Sequence, residues 1–69
     1  MKILVVVRSS RTKQEIYRYD VTNIDEVEWT LKTYDCSRFI EQTNVNDNEF
    51  SKCYKFLCAN RKFLIEIYV

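Results

Sequence analysis

The chain contains neither glycine nor proline among its 69 residues. Average chains hold roughly 7% glycine and 5% proline, and most turns depend on these two residues. Asparagine is the next residue that tolerates a left-handed backbone, so we expect the turns to fall at the asparagines. These are Asn23, Asn44, Asn46, Asn48 and Asn60. The absence of glycine also excludes the glycine-rich loops that hold phosphates in nucleotide-binding folds.

The length predicts a single domain over residues 1–69. Hydrophobic residues make up 46% of the chain and aromatic residues 14%, which is enough for a packed core. No apolar run reaches the 18 residues of a membrane-spanning helix, and Arg8 interrupts the first apolar run too early for a signal peptide. We therefore expect a cytoplasmic protein with no membrane partner.

Three segments predict β-strands. Residues 2–7, KILVVV, form a continuous β-branched run that is typical of a central strand. Residues 14–21 alternate between apolar and polar positions, and we expect them to form a hairpin with the first strand. The last segment, KFLIEIYV, predicts a third strand with Phe63, Ile65 and Ile67 on one side.

Two further segments predict helices. In TNIDE, Thr22 and Asn23 are each followed three residues later by an acid, which is the pattern of a capping box and predicts a helix over about 24–35. After a polar linker, apolar residues recur with helical spacing and predict a second helix that ends at Asn60 in a left-handed conformation. They are Phe50, Cys53, Tyr54, Leu57 and Cys58.

Residues 36–45 fit neither period cleanly, and we expect a short edge strand around 38–43. The predicted order is β-β-α-(β)-α-β. It favours an α+β fold, in which two helices pack on one face of a small single-layer sheet that is antiparallel or mixed.

Histidine is absent, which excludes histidine-based triads and histidine metal sites. The odd number of cysteines, three, favours reduced thiols buried in the core, with a Cys36–Cys53 or Cys36–Cys58 contact left open. Most carboxylates fall in predicted first helical turns or on polar helix faces, where acids serve capping and solubility. We predict a non-enzymatic protein with no catalytic residue, no cofactor and no metal.

Charge is segregated along the chain although the net charge is only +1. Residues 20–49 hold eight acidic and two basic residues, whereas the flanking segments are basic. If the last strand runs antiparallel to the first, the basic residues meet at one end and could bind phosphate or an acidic protein surface. They are Arg8, Arg11, Lys13, Arg61 and Lys62.

Three aromatic side chains are candidates for anchoring a partner. Trp29 falls on the polar side of the first predicted helix, so we expect either a loop such as 36–45 or a partner to cover it. Phe56 is predicted to lie on the polar side of the second helix, and Tyr34 near the end of the first.

The short, motif-free chain with its aromatic, Asn and Lys residues resembles in composition the small accessory proteins of bacterial viruses. The lack of a catalytic constellation, the misfit aromatic residues and the segregated charge predict a small binding protein that inhibits or modulates a host protein by contact, in the host cytoplasm if the protein is viral. The alternative function is a regulator that binds nucleic acid through its basic end or mimics DNA with its acidic middle. We also expect a two-fold homodimer, formed by the terminal strand if that strand lies at a sheet edge and by Trp29 if it lies in the centre.

Overall fold

The computed structural model describes residues 2–69. Within these residues, five strands and one helix form. They are β1 Ile3–Ser9, β2 Glu15–Val21, α1 Ile24–Thr33, β3 Arg38–Asn44, β4 Lys52–Leu57 and β5 Phe63–Tyr68. The strands make one sheet in the order β2-β1-β5-β4-β3, and every neighbouring pair is antiparallel. The helix α1 covers one face of this sheet.

The predicted fold with two helices is wrong, because the segment expected to form the second helix is strand β4. This strand is covered on both faces: Cys53 faces away from α1, whereas Tyr54 and Phe56 pack against the core on the α1 side. A strand buried on both faces carries apolar residues at consecutive positions, so its pattern can match a helical repeat by coincidence. Strand pairing with β3 and β5 decided the conformation of this segment.

The other predicted elements are confirmed. β1 pairs with both β2 and β5 and is therefore an interior strand, and β1 and β2 form the expected hairpin. β3 is an edge strand, in agreement with the prediction for residues 38–43. The terminal strand β5 lies in the centre of the sheet, between β1 and β4.

Helix α1 begins where the capping pattern predicted. The side chain of Asn23 accepts a hydrogen bond from the backbone N–H of Asp25 at 2.8 Å, which satisfies one of the free donors of the first turn. Val27 and Thr30 are the buried residues of the helix. Thr30 donates its hydroxyl hydrogen to the carbonyl of Glu26 at 2.9 Å. The Thr30 oxygen therefore accepts the hydrogen bond that it shares with the Tyr19 hydroxyl, and this bond links the helix to β2.

The core lies between α1 and the sheet. It combines alternate residues of β1 and β5 with the end of β2 and one turn of the helix. Its buried members are Ile3, Val5, Val7, Val21, Val27, Cys36, Cys58, Ile65 and Ile67. The expected inward side of β5, Phe63 with Ile65 and Ile67, is confirmed by this cluster.

The left-handed residues are not asparagines. Lys13, Asp35 and Arg61 have φ angles of 66°, 52° and 60°. The prediction that Asn60 takes the left-handed position is wrong, because Arg61 takes it. Asn60 instead accepts a hydrogen bond from the backbone N–H of Lys62 at 2.8 Å, a turn that its short side chain can make locally.

Cys36 and Cys58 form a disulfide, which corrects the expectation of reduced thiols and selects one of the two contacts that the sequence left open. The bond joins the segment after α1 to the turn between β4 and β5, and a hydrogen bond from the Ala59 N–H to the Asp35 carbonyl at 2.9 Å runs beside it. Cys53 remains a free, buried thiol. The helix α1 has 10 residues, and across residues 2–69 no helix is long and apolar enough to cross a membrane.

Candidate interaction surface

The turn between β1 and β2 meets the turn between β4 and β5 at one end of the sheet. The backbone N–H of Ser10 donates to the carbonyl of Lys62 at 3.0 Å, and the Ser10 hydroxyl donates to the carbonyl of Arg61. The first residue of β3, Arg38, lies opposite Leu57 at the same end. We call this region, residues 10–13, 38–40 and 58–62, the turn end.

The turn end collects five basic residues with exposed side chains. They are Arg11, Lys13, Arg38, Arg61 and Lys62. Among residues 2–69, none of the five forms an ion pair with a carboxylate, whereas Lys2, Arg8, Arg18 and Lys55 all do. Uncompensated charges of one sign held close together attract anions and raise the rate at which an acidic partner arrives.

Two large hydrophobic side chains are exposed between these charges. Phe39 is 53% exposed and Ile40 is 46% exposed. They line a shallow depression of about 500 Å³ together with Arg38, Leu57 and Arg61. The Phe39 ring is supported from behind by Phe56, whose ring centre lies 5.7 Å away in an edge-to-face arrangement. The apolar centre with a basic rim is the arrangement of a protein-binding surface.

Arg8, predicted to belong to the basic end, serves a different role. Its Nε donates to the carboxylate of Glu66 at 2.7 Å, in the middle of the sheet face that α1 leaves open. Glu66 is only 6% exposed, and it also accepts a hydrogen bond from the Tyr68 hydroxyl at 3.1 Å. Lys55 lies 3.9 Å from Glu66 and 3.6 Å from Glu41. This network satisfies a buried charge and holds strands β1, β5, β4 and β3 together.

Burial raises the pKa of two groups next to this network. The pKa of the Tyr68 phenol is raised to about 12, mainly because burial disfavours the phenolate and also because Glu66 repels it. The pKa of the Cys53 thiol is raised for the same two reasons, burial first. Cys53 is buried in the fold as a free thiol, and both causes favour its protonated form.

Trp29 lies apart from the turn-end cluster and is 68% exposed. On α1 it points about 160° away from Val27, which faces the sheet. The β3 segment does not cover it, so the intramolecular alternative is excluded. Tyr34 is half-buried against Tyr17 and Phe63, with ring centres at 6.4 and 5.9 Å.

The predicted site residues therefore divide into groups. Arg11, Lys13, Arg61 and Lys62 come together as expected. Arg8 belongs to the sheet network, Trp29 stands alone on the helix, and Tyr34 packs within the fold. Phe56 is half-buried behind Phe39 and does not form a surface anchor of its own.

Sequence reasoning missed Arg38, Phe39 and Ile40. The signal was present, because two adjacent large hydrophobic residues in an edge strand cannot both face the core. A register shift between Phe39 and Glu41 places both side chains near the turn end. Along the sequence, Arg38 falls within the acidic segment 20–49, so the distribution of charge gave no indication that it lies beside Arg61.

A second concave surface lies on the open sheet face, under residues 45–50, with a volume of about 530 Å³. Lys2 and Glu49 close one side with an ion pair of 2.7 Å. Arg18 and Asp20 line the other side. Because both signs of charge alternate around this groove, it has no net preference for an anion or a cation.

Across residues 2–69, no group of three Cys, Asp or Glu side chains comes close enough to hold a metal ion. No protein-family model matches the chain, and no curated protein or solved structure shows significant similarity to it. The class that the structure defines is a five-stranded antiparallel sheet with one covering helix.

Proposed function

We propose that this chain is a small non-enzymatic binding protein that inhibits or modulates a host protein by covering part of its surface. The observation that carries the proposal is the exposure of large hydrophobic side chains on the helix and on both edge strands. They are Ile16, Tyr17, Ile24, Trp29, Phe39 and Ile40. A domain of this size is only marginally stable. Six large hydrophobic side chains exposed to water forgo a sizeable hydrophobic stabilisation, which a partner that covers them would supply.

The distribution of charge supports the same function. Five cations without an ion pair within residues 2–69 gather at the turn end, whereas Asp25 and Glu26 mark the start of α1 at the opposite end of the sheet. Segregated charge orients a partner during encounter and rejects partners of the wrong sign. The exposed aromatic and basic residue types, Trp, Tyr, Phe and Arg, are those enriched in protein–protein interfaces.

The test is quantitative affinity capture from a bacterial lysate with the full chain as bait. We expect one protein to be retained in near-stoichiometric amount. The purified pair should then elute as one complex whose composition light scattering measures. A bait with Trp29→Ser and Phe39→Ser exchanged together controls for contaminants, because it keeps the charge and loses both apolar sites. Absence of any stoichiometric protein partner would contradict the proposal.

A further inference from the structure

We propose, on the basis of the proposed function, that the turn end is the docking surface and that its occupant is an extended, acidic segment of the partner protein. The segment would pair along the free edge of β3. Its carboxylates would meet Arg38, Arg61 and Lys62, and its apolar side chains would cover Phe39 and Ile40.

Charge complementarity identifies the chemistry of the occupant. The five cations of the turn end have no carboxylate partner within residues 2–69, whereas Lys2, Arg8, Arg18 and Lys55 pair with Glu49, Glu66, Glu15 and Glu41. Glu41, which follows Ile40 in β3, is held by Lys55 at 3.6 Å. The turn end therefore presents uncompensated positive charge, and an acidic segment would compensate it.

Two of the basic residues of the turn end occupy a strained backbone conformation. Lys13 and Arg61 both occupy the left-handed region, where a side chain clashes with the backbone and where asparagine or glycine fits with less strain. The chain contains many asparagines, yet two basic residues stand at these positions. Strain retained at a surface points to a functional use of the residues that carry it.

The edge of β3 provides the second half of the site. β3 pairs only with β4, so its outer side presents backbone N–H and C=O groups without a neighbouring strand. An extended peptide can add to such an edge through main-chain hydrogen bonds, while pockets beside the strand select its side chains. Phe39 and Ile40 lie at the start of this edge, next to Arg38 and Arg61.

A protein segment is favoured over nucleic acid. The net charge is only +1, and five of the eleven basic residues gather at the turn end, whereas proteins that bind nucleic acids spread positive charge over a face. Proteins that bind single strands stack successive bases on several aromatic rings. Phe39 is the one exposed aromatic ring among the residues of the turn end.

The test measures binding of a fluorescent peptide of alternating Glu and Val, long enough to span the seven residues of β3. We expect it to bind the wild-type protein, and the matched peptide of alternating Lys and Val not to bind. Amide chemical shifts should move over residues 38–44 and 58–62 and not over β2. Arg38→Glu and Lys62→Glu should each weaken binding by about tenfold.

Arg18→Glu is the matched control, because it makes the same change of charge on β2, at the opposite edge of the sheet from β3, and should alter affinity less than about twofold. No binding of the Glu/Val peptide, or equal weakening by Arg18→Glu, would overturn the docking surface. Tighter binding of an oligothymidylate, with a steep loss of affinity in salt, would replace the acidic segment by nucleic acid and overturn it as well.

The two proposals fail separately. A lysate partner that the Arg38→Glu bait retains as well as the wild-type bait does would overturn the turn end as docking surface and leave the proposed function standing. Loss of every partner from the wild-type bait would overturn the function, whatever the synthetic peptide does.

Discussion

At the scale of single residues, the absence of glycine leaves a measurable strain. Arg61 has a φ of 60°, which disfavours any residue with a Cβ atom. Its neighbour Lys62 is also exposed and is not in the left-handed region. The pair separates the effect of backbone conformation from that of charge, because both positions carry one basic side chain in the same turn.

We expect Arg61→Gly to raise the free energy of unfolding by about 0.5–1 kcal/mol, because glycine relieves the left-handed strain by more than it adds to unfolded-chain entropy. Lys62→Gly should lower the free energy of unfolding, because glycine raises the conformational entropy of the unfolded chain and Lys62 has no left-handed strain to relieve. Urea unfolding of both variants measures the difference. Equal destabilisation by the two substitutions would contradict the strain argument.

A second prediction at the residue scale concerns alkaline pH. The pKa of Tyr68 is about 12 in the folded protein, against about 10 for an ordinary tyrosine, and the pKa of Cys53 is also raised. Between pH 10 and 12 the folded state therefore binds more protons than the unfolded state. The contribution of Tyr68 to stability is fully present below about pH 10 and falls as the pH rises through this window.

The measurement is the midpoint of thermal unfolding between pH 8 and pH 12 for the wild type and Tyr68→Phe. The variant should show a shallower decline, because it has no phenol to ionise. Tyr54→Phe is the control, since Tyr54 lies on the opposite face of the sheet from Glu66. A decline in Tyr68→Phe as steep as in the wild type would show that other groups cause it.

At the scale of elements, the disulfide ties the end of α1 to the β4–β5 turn. The two cysteines are 22 residues apart, and closing a loop of that length stabilises the folded state by about 3 kcal/mol through the entropy of the unfolded chain. The other contacts between the helix and the sheet are the Tyr19–Thr30 hydrogen bond and the packing of Val27 and Leu31 against the core.

We expect the double variant Cys36→Ala/Cys58→Ala to lose about 3 kcal/mol of unfolding free energy relative to the oxidised wild type. Dithiothreitol should lower the stability of the wild type and leave the variant unchanged. Alkylation of the unfolded, unreduced wild type should label only Cys53. Labelling of all three cysteines without reductant would show that the disulfide does not form.

At the scale of the whole molecule, the arrangement of the sheet decides how two copies can meet. The terminal strand is paired on both sides, so dimer formation through a β5 edge is excluded. Trp29 then remains as the contact that we predicted for this case, on the exposed surface of α1. A two-fold dimer through α1 would leave the turn end of each copy free for a partner.

We expect sedimentation equilibrium to give twice the monomer mass at high micromolar concentration, and Trp29→Ala to shift the equilibrium to monomer because the buried indole area is lost. Phe39→Ala, which removes an exposed ring at the turn end, should leave the dimer intact. A wild-type protein that stays monomeric over the whole range would exclude self-association and leave Trp29 for the foreign partner.

The sequence by itself determined the local features of this protein. The β-branched run of residues 2–7, the alternation of residues 14–21 and the cap at Asn23 each act within a few residues, so the β1–β2 hairpin and α1 were predictable from pattern alone. The meeting of Arg11, Lys13, Arg61 and Lys62 also followed, because antiparallel pairing of the first and last strands brings their turns together.

Only the tertiary structure decided the rest. Residues 52–57 carry a pattern that fits a helix and a two-sided strand equally well, and the distant partners β3 and β5 selected the strand. The same pairing positioned Phe39 and Ile40 beside Arg61, and it joined Cys36 to Cys58. These contacts link residues far apart in the chain, and their free energy arises only when the sheet closes, so no local pattern of residues records them.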